Sequence, residues 1–241
     1  MMIKLTIDNQ TIEVEEGSTI LDAANQAGIH IPTLCYHEEL TPAGSCRVCA
    51  VEIINNGKSG LTSACNYLVE PGIKITTSSD KVRAARRLAL ELLLAQCPSS
   101  AKMQKLAEEL GASQPSFSLG EKECILCQLC TRTCREIVDV SAISFIARGL
   151  DRDNDEALIE VSPVKCIACG SCVYICPTQA ISMEDVGDMR VINTPSGRME
   201  FKLRQCKNCG SYWAPEKQLE YMASKANLEL GAFDLCPDCR D

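Results

Sequence analysis

Histidine is nearly absent from this chain: His30 and His37 are the only two in 241 residues. A Rieske-type centre needs two histidines in its ligand set, which four cysteines already fill here, and no arrangement of Ser and His suggests a nucleophilic triad. No Gly-x-Gly-x-x-Gly follows a strand pattern and no P-loop occurs, so the residues offer no dinucleotide or nucleotide cradle. Basic residues are outnumbered, 24 Lys and Arg against 32 Asp and Glu, and a net charge of −8 argues against a general nucleic-acid binder. Long apolar runs are missing too. The longest, LALELLLA at 88–95, is too short to span a bilayer and carries Glu91. MMIKLTIDNQ lacks the apolar stretch of a secretory signal, so a cytoplasmic location is expected. Aromatic residues make up only 4%, which suits several modest cores needing extra crosslinks better than one large core.

Cysteine, by contrast, is abundant, at seventeen residues. In a reducing compartment, dense CxxC spacing points to metal, and an odd total leaves an all-disulfide framework one thiol over. Two runs, CILCQLCTRTC (124–134) and CIACGSCVYIC (166–176), share the spacing C-x2-C-x2-C-x3-C. The first three thiolates of such a run converge on one face of a cubane, and the fourth ligates the other cluster of a two-cluster ferredoxin. That rule assigns Cys124, Cys127, Cys130 and Cys176 to one [4Fe-4S] cluster, and Cys166, Cys169, Cys172 and Cys134 to the other. Ile125, Leu126, Leu129, Ile167 and Ile175 would keep water away. Pro177 completes the second run, whereas Arg135 stands at the matching place in the first. Two structural zinc sites would not need the crossed fourth cysteine.

Two further sets of four remain. Cys35, Cys46, Cys49 and Cys65 are spaced x10, x2 and x15, a longer first gap than the C-x4-C-x2-C of plant-type [2Fe-2S] ferredoxins. Cys206, Cys209, Cys236 and Cys239 form C-x2-C-x26-C-x2-C, with Gly210 after one knuckle and Pro237 inside the other. Tetrahedral geometry with four sulfurs there suits a structural zinc, with mononuclear iron or another [2Fe-2S] as alternatives. The spacing is similar to zinc ribbons and rubredoxin; Tyr212 and Trp213 are expected to pack around the site.

The local patterns place these sets in an α+β chain. In residues 1–79, Ile3, Leu5 and Ile7 alternate, as do Ile12 and Val14, giving a hairpin. Thr19 and Asp22 form a capping-box signature, a helix runs to Gly28, and strands are expected at Ala50–Ile54 and Ile73–Thr77: a β-grasp [2Fe-2S] domain. Residues 80–120 read as a helical connector and linker, with Val82, Ala85, Leu88, Ala89, Leu92 and Gln96 on one stripe. Its basic group, Lys81, Arg83, Arg86 and Arg87, reads as a solvated face. Residues 121–190 hold the two tandem runs, a two-[4Fe-4S] ferredoxin domain, separated by the acidic stretch LDRDNDEA. Residues 200–241 form a small unit around the last four cysteines.

GSTILDAANQAGIHIPTLCYHEELTPAGSCRVCAVEI (17–53) resembles the N-terminal [2Fe-2S] domain of the complex I large iron–sulfur subunit. The same domain occurs in the diaphorase iron–sulfur subunits of NAD-linked hydrogenases, in iron-only hydrogenases and in NAD-dependent formate dehydrogenases. The resemblance implies all-cysteine ligation, with His30 and His37 structural or surface residues and Gly44 allowing close backbone approach to the cluster. Those families follow the connector helix with a histidine and three cysteines that hold another [4Fe-4S]. Here Cys97 stands alone in that region, so that cluster should be absent and the connector a remnant.

The expected function is therefore a non-catalytic electron-transfer subunit with one [2Fe-2S], two [4Fe-4S] and a C-terminal metal. The resemblance implies as partners a flavoprotein subunit with FMN and NAD(H), a small thioredoxin-like [2Fe-2S] subunit and hydrogenase subunits. Ferredoxin joins them if the complex bifurcates electrons. A relay in a formate dehydrogenase or transhydrogenase, a redox sensor, and a zinc-binding scaffold are the alternatives.

Overall fold

A computed structural model describes residues 1–55, 57–119, 122–146 and 158–240. The acidic stretch at 150–157 lies outside the described residues. The chain divides into two compact units, Met1–Gln128 and Leu129–Asp241, and the division falls inside the first cysteine run.

In the first unit, β1 (Met2–Ile7) and β2 (Gln10–Glu15) pair antiparallel, with Ile3 opposite Val14 and Leu5 opposite Ile12. Asp8 and Asn9 turn the chain with φ of 45° and 69°, a left-handed pair that short polar side chains tolerate and that matches strand twist. The alternation sends Ile3, Leu5, Ile7, Ile12 and Val14 into one core. Helix α1 (Ile20–Gln26) starts at the expected box. The Asp22 N–H donates to the Thr19 hydroxyl (3.2 Å), and the Thr19 N–H donates to the Asp22 carboxylate (2.8 Å). Strands β3 (Ala50–Asn55), β4 (Lys58–Ser63) and β5 (Lys74–Thr76) complete a sheet ordered β2-β1-β5-β3-β4, in which β1 and β5 run parallel. This is the expected β-grasp arrangement. β4 is an addition to it that the sequence pattern does not announce. KSGLTS holds one large apolar residue, Leu61, and that residue is itself exposed because β4 is an edge paired only to β3.

Helix α2 (Asp80–Gln96) corrects the expected stripe. Its buried side is Val82, Arg86, Leu90 and Leu94, a strict i+4 row, whereas Leu88 and Leu92 are 58% and 45% exposed. The basic group is therefore not wholly a solvated face. Arg86 is buried, and its Nε donates to the Ala50 carbonyl at 3.0 Å. The Ala50 carbonyl lies at the start of β3, and α2 packs against that strand, so the row carrying Arg86 rather than the row of Leu88 and Leu92 turns inward. Helix α3 (Ala101–Leu110) packs on α2 and ends at Gly111 in the left-handed conformation.

In the second unit, α4 (Leu129–Arg132) runs into a π-helical turn at Thr133–Ile137. The short α5 (Ser171–Ile175) stops before Pro177, which lacks the N–H to continue it; Arg135 imposes no such stop in the first run. Strands β6 (Ile143–Ile146) and β7 (Leu158–Val161) pair antiparallel. A meander of β8 (Ser182–Val186), β9 (Met189–Thr194), β10 (Gly197–Gln205) and β11 (Tyr212–Pro215) passes through residue 200 without a break. Helix α6 (Glu216–Ala226) and two short 3-10 turns finish the chain.

The inverted face of α2 is directly testable by chemical denaturation. Leu90→Ala should cost about 3 kcal/mol as a fully buried truncation, while Leu92→Ala, on the row expected from sequence, should stay within about 0.5 kcal/mol.

Candidate metal centres

The first set lies wholly in the first unit. Cys35, Cys46, Cys49 and Cys65 are all buried. Cys35 and Cys49 sit well below the ordinary thiol range, at about 5 and about 6. In each case the main cause is a hydrogen bond from a neighbouring thiol, Cys46 and Cys65 respectively. The two donors are raised by those same bonds. The Cys46 N–H also points at the Cys35 Sγ, at 3.5 Å. Two thiol pairs thus lie within each other's electrostatic reach, a donor set that fits a cluster with two irons. His37 lies outside it in function: its Nδ1 accepts from the Glu39 N–H at 3.2 Å.

The buried Arg86 guanidinium makes the same case for an anionic group. Its Nη2 has no hydrogen-bond partner. Burial pushes its pKa down, and only charge on Cys49 and on Asp8 opposes that shift. A cluster carrying thiolate charge fits beside such a cation.

Gly44 adopts φ +63°, and a Cβ there would lie 2.5 Å from the Asn66 amide nitrogen. The glycine therefore lets the Cys46 loop close onto the residue after Cys65. Gly44→Ala should destabilise the chain by roughly 1–2 kcal/mol through the left-handed backbone and speed bleaching of the visible chromophore. Adding Asn66→Ala should recover the steric share, as thermal and bleaching curves would reveal.

The tandem runs fold as the same loop twice. Leu126 and Gln128 have φ of 56° and 61°, and the matching Ala168 and Gly170 have 57° and 80°. This turn aims the N–H of Leu126 at the Cys124 Sγ and that of Ala168 at the Cys166 Sγ, both at 3.4 Å. Cys134, Cys166, Cys169 and Cys172 line one apolar cavity, walled by Val138, Ala142, Ile143 and Val161 and roofed from the meander by Ile192 and Met199. The Ala142 N–H donates to the Cys134 Sγ at 3.2 Å. Burial in that cavity pushes the Cys172 thiol up to about 12. The crossed cysteine and the apolar wall fit a cubane. Arg190, held by a two-pronged bridge to Asp185 (2.7 and 2.9 Å), donates to the Ala168 carbonyl at 3.2 Å and braces the loop from β9.

Cys124 and Cys127 belong to the first unit, Cys130 on α4 and Cys176 after α5 to the second. In the first unit the Cys124 carbonyl accepts from Gln96 Nε2 at 2.9 Å, and the Cys127 carbonyl accepts from the Ser45 hydroxyl at 3.4 Å. Neither Ser45, Gln96, Arg86 nor Arg190 carries a spacing signal, so sequence reasoning does not single them out for these roles. Cys97 caps α2 and is buried, with its N–H on the Leu93 carbonyl.

The last set closes most tightly: the sulfurs of Cys206, Cys209, Cys236 and Cys239 all lie within 4.8 Å of one another. Backbone N–H groups around Cys209 and Cys236 bring Cys206 down to about 6, while burial first, then its neighbours' hydrogen bonds, push Cys236 up to about 12. Trp213 is half-buried, with the Arg240 guanidinium 5.3 Å over its ring, whereas Tyr212 is exposed.

Comparisons with known proteins agree with this layout. Residues 1–80 match a 2Fe-2S iron-sulfur cluster binding domain, and residues 116–177 and 165–211 match 4Fe-4S dicluster domains. The chain is 37% identical over 202 residues to the NADPH-Fe(3+) oxidoreductase subunit alpha of Geobacter sulfurreducens, covering 73% of this chain and 24% of that protein. It is 35% identical over 211 residues to the NADP-reducing hydrogenase subunit HndD of Solidesulfovibrio fructosivorans, covering 75% and 36%. The chain thus spans only about a quarter to a third of these curated relatives. Among solved structures, an NAD+-reducing [NiFe]-hydrogenase in the H2-reduced state matches with a TM-score of 0.52 and 29% identity, over 61% of this chain and 71% of that one. No helix among the described residues is long and apolar enough to cross a membrane. The chain thus carries a 2Fe-2S domain and a 4Fe-4S dicluster region and is similar to parts of subunits of NAD(P)-linked hydrogenases and oxidoreductases.

Proposed function

We propose that the chain relays electrons between a flavin- and NAD(H)-binding subunit and a hydrogenase module, in a complex where ferredoxin can serve as a further redox partner. Cys35, Cys46, Cys49 and Cys65 hold a [2Fe-2S]; Cys124, Cys127, Cys130 and Cys176 hold one [4Fe-4S], and Cys166, Cys169, Cys172 and Cys134 the other. Each cluster, when bound, accepts and releases one electron with little change in its thiolate cage. The residues supply the rest: sulfur ligands, N–H donors on those sulfurs, and apolar walls that exclude water.

One observation carries the reading. The loop with Cys46 touches the loop with Cys127 through the Ser45 hydroxyl, across 82 positions of sequence. Electron tunnelling falls steeply with distance, so ligand loops in direct contact are what a relay needs and what separate structural metals do not. The names of the relatives, both subunits of NADP(H)-linked oxidoreductases, support the choice of partners.

Anaerobically purified chain should contain about ten iron and ten sulfide in these three clusters, and dithionite titration should add about three electrons, one for each cluster. Reduced material should give electron paramagnetic resonance lines broadened by coupling between the [2Fe-2S] and a neighbouring cubane; two independent, unbroadened signals would count against the relay. Arg86 provides a second check. Its cation favours the more negative, reduced cluster, so Arg86→Gln should lower the [2Fe-2S] midpoint potential by tens of millivolts, about 59 mV being a tenfold change for one electron. Potentiometric titration measures it directly.

A further inference from the structure

We infer that Cys206, Cys209, Cys236 and Cys239 hold one zinc ion, and that this ion fixes helix α6 against the segments bearing two ligands of the second cubane. The inference rests on the reading that Cys134 and Cys166 ligate that cluster.

Two faces of α6 lead to it. Leu219 and Ala223, one turn apart, pack on Ala214 and Phe233 in a small core whose other two members lie in the segments just after Cys209 and just before Cys236. That cluster is too small to hold a helix by burial alone, which is the situation in which a metal crosslink supplies the missing stability. The sulfurs already stand close enough to share one ion. The chain is shaped to place them there. Gly210, at φ +76°, turns the first knuckle back so that its N–H reaches the Cys206 carbonyl, and the Cys236 N–H donates to the Cys206 Sγ at 3.3 Å. A closed set of four sulfurs with no open position suits a structural, redox-silent ion.

The other face is polar and spaced i, i+4, i+8. Lys217 Nζ donates to the carbonyls of Pro163 and Val164, at 2.8 and 3.1 Å, just before Cys166. The Tyr221 hydroxyl donates to the Val138 carbonyl at 2.7 Å, and Lys225 pairs with Asp139 at 2.6 Å, both just after Cys134. Val138 is itself part of the cavity wall. One helix thus ties together the two segments that bring Cys134 to the loop of Cys166, and the metal knuckles anchor that helix from its far side.

The test uses the full chain purified without oxygen. Metal analysis should find one zinc that stays after the clusters are bleached by air. Iron there in place of zinc, or no metal, would overturn the zinc assignment. Cys209→Ser with Cys239→Ser should lose the zinc, raise deuterium exchange in α6 and around Val138, and release iron to a chelator roughly tenfold faster, as expected for losing a few hydrogen bonds. A zinc-free variant with unchanged exchange and iron retention would overturn the clamp. Since that variant could misfold, Lys217→Ala, Tyr221→Phe and Lys225→Ala together provide the second arm: zinc retained, iron released faster. Iron release at the parent rate would refute the role of α6. A parent chain that carries zinc yet no iron would defeat the relay reading and leave the zinc assignment standing.

Discussion

A thiolate taken out of water must be met by positive charge or by donors, and this constraint shapes both units of the chain. Thiol and hydroxyl side chains supply some of these donors. Backbone N–H groups supply others: those of Cys46, Leu126, Ala142, Ala168 and Cys236 are each aimed at a cysteine sulfur within 3.5 Å. Aiming them costs conformational strain, because the loops need left-handed residues. Leu126, Gln128 and Ala168 accept that conformation although none is glycine, Asn or Asp. Such strain persists only where the surroundings over-determine the loop, and the N–H bonds onto the Cys124 and Cys166 sulfurs contribute to that determination.

The regular elements follow from where these loops have to stand. The β-grasp sheet and α1 bury a continuous apolar core, which leaves the Cys35–Cys49 loop and Cys65 at its border. Helix α2 then does two jobs. Its buried row places Arg86 beside Cys49, and its last residue reaches out through Gln96 to the carbonyl of Cys124. In the second unit the meander roofs the cavity of Cys134, Cys166, Cys169 and Cys172, and Arg190 on β9 holds the loop between two of them. The sheet is thus a lid over ligands whose own loops contribute little regular structure.

The cysteine sets, the first hairpin and the capping box are legible in the sequence because each depends on short-range chemistry: ligand spacing, period-two alternation, or a side chain three residues from its backbone partner. The face of α2 is not. Leu88 and Leu92 are as apolar as Leu90 and Leu94, so hydrophobicity alone cannot choose between rows; the choice is made by Arg86, whose Nε finds the Ala50 carbonyl. β4 is hidden for the opposite reason, since an edge strand with one neighbour needs few apolar residues. The stripe of Lys217, Tyr221 and Lys225 reads as an ordinary solvated helix face until the carbonyls it reaches are known. Spacing reports who can ligate, and packing decides what holds the ligands still.

The region around Cys97 joins these points. The related families follow the connector helix with a histidine–cysteine cluster, and this chain has one cysteine there, buried at the helix end. The chain is tied down at that place by backbone carbonyls: the N–H groups of Leu119 and Lys122 donate to the last carbonyls of α2, and Gln96 and Ser45 donate to the carbonyls of Cys124 and Cys127. The first two cysteines of that run are thereby drawn directly onto the [2Fe-2S] domain, with α2 and the Cys46 loop as their two supports. Four hydrogen bonds to backbone carbonyls thus hold the start of the first tandem run against the end of α2 and the Cys46 loop, so packing as well as spacing fixes where its first two sulfurs stand.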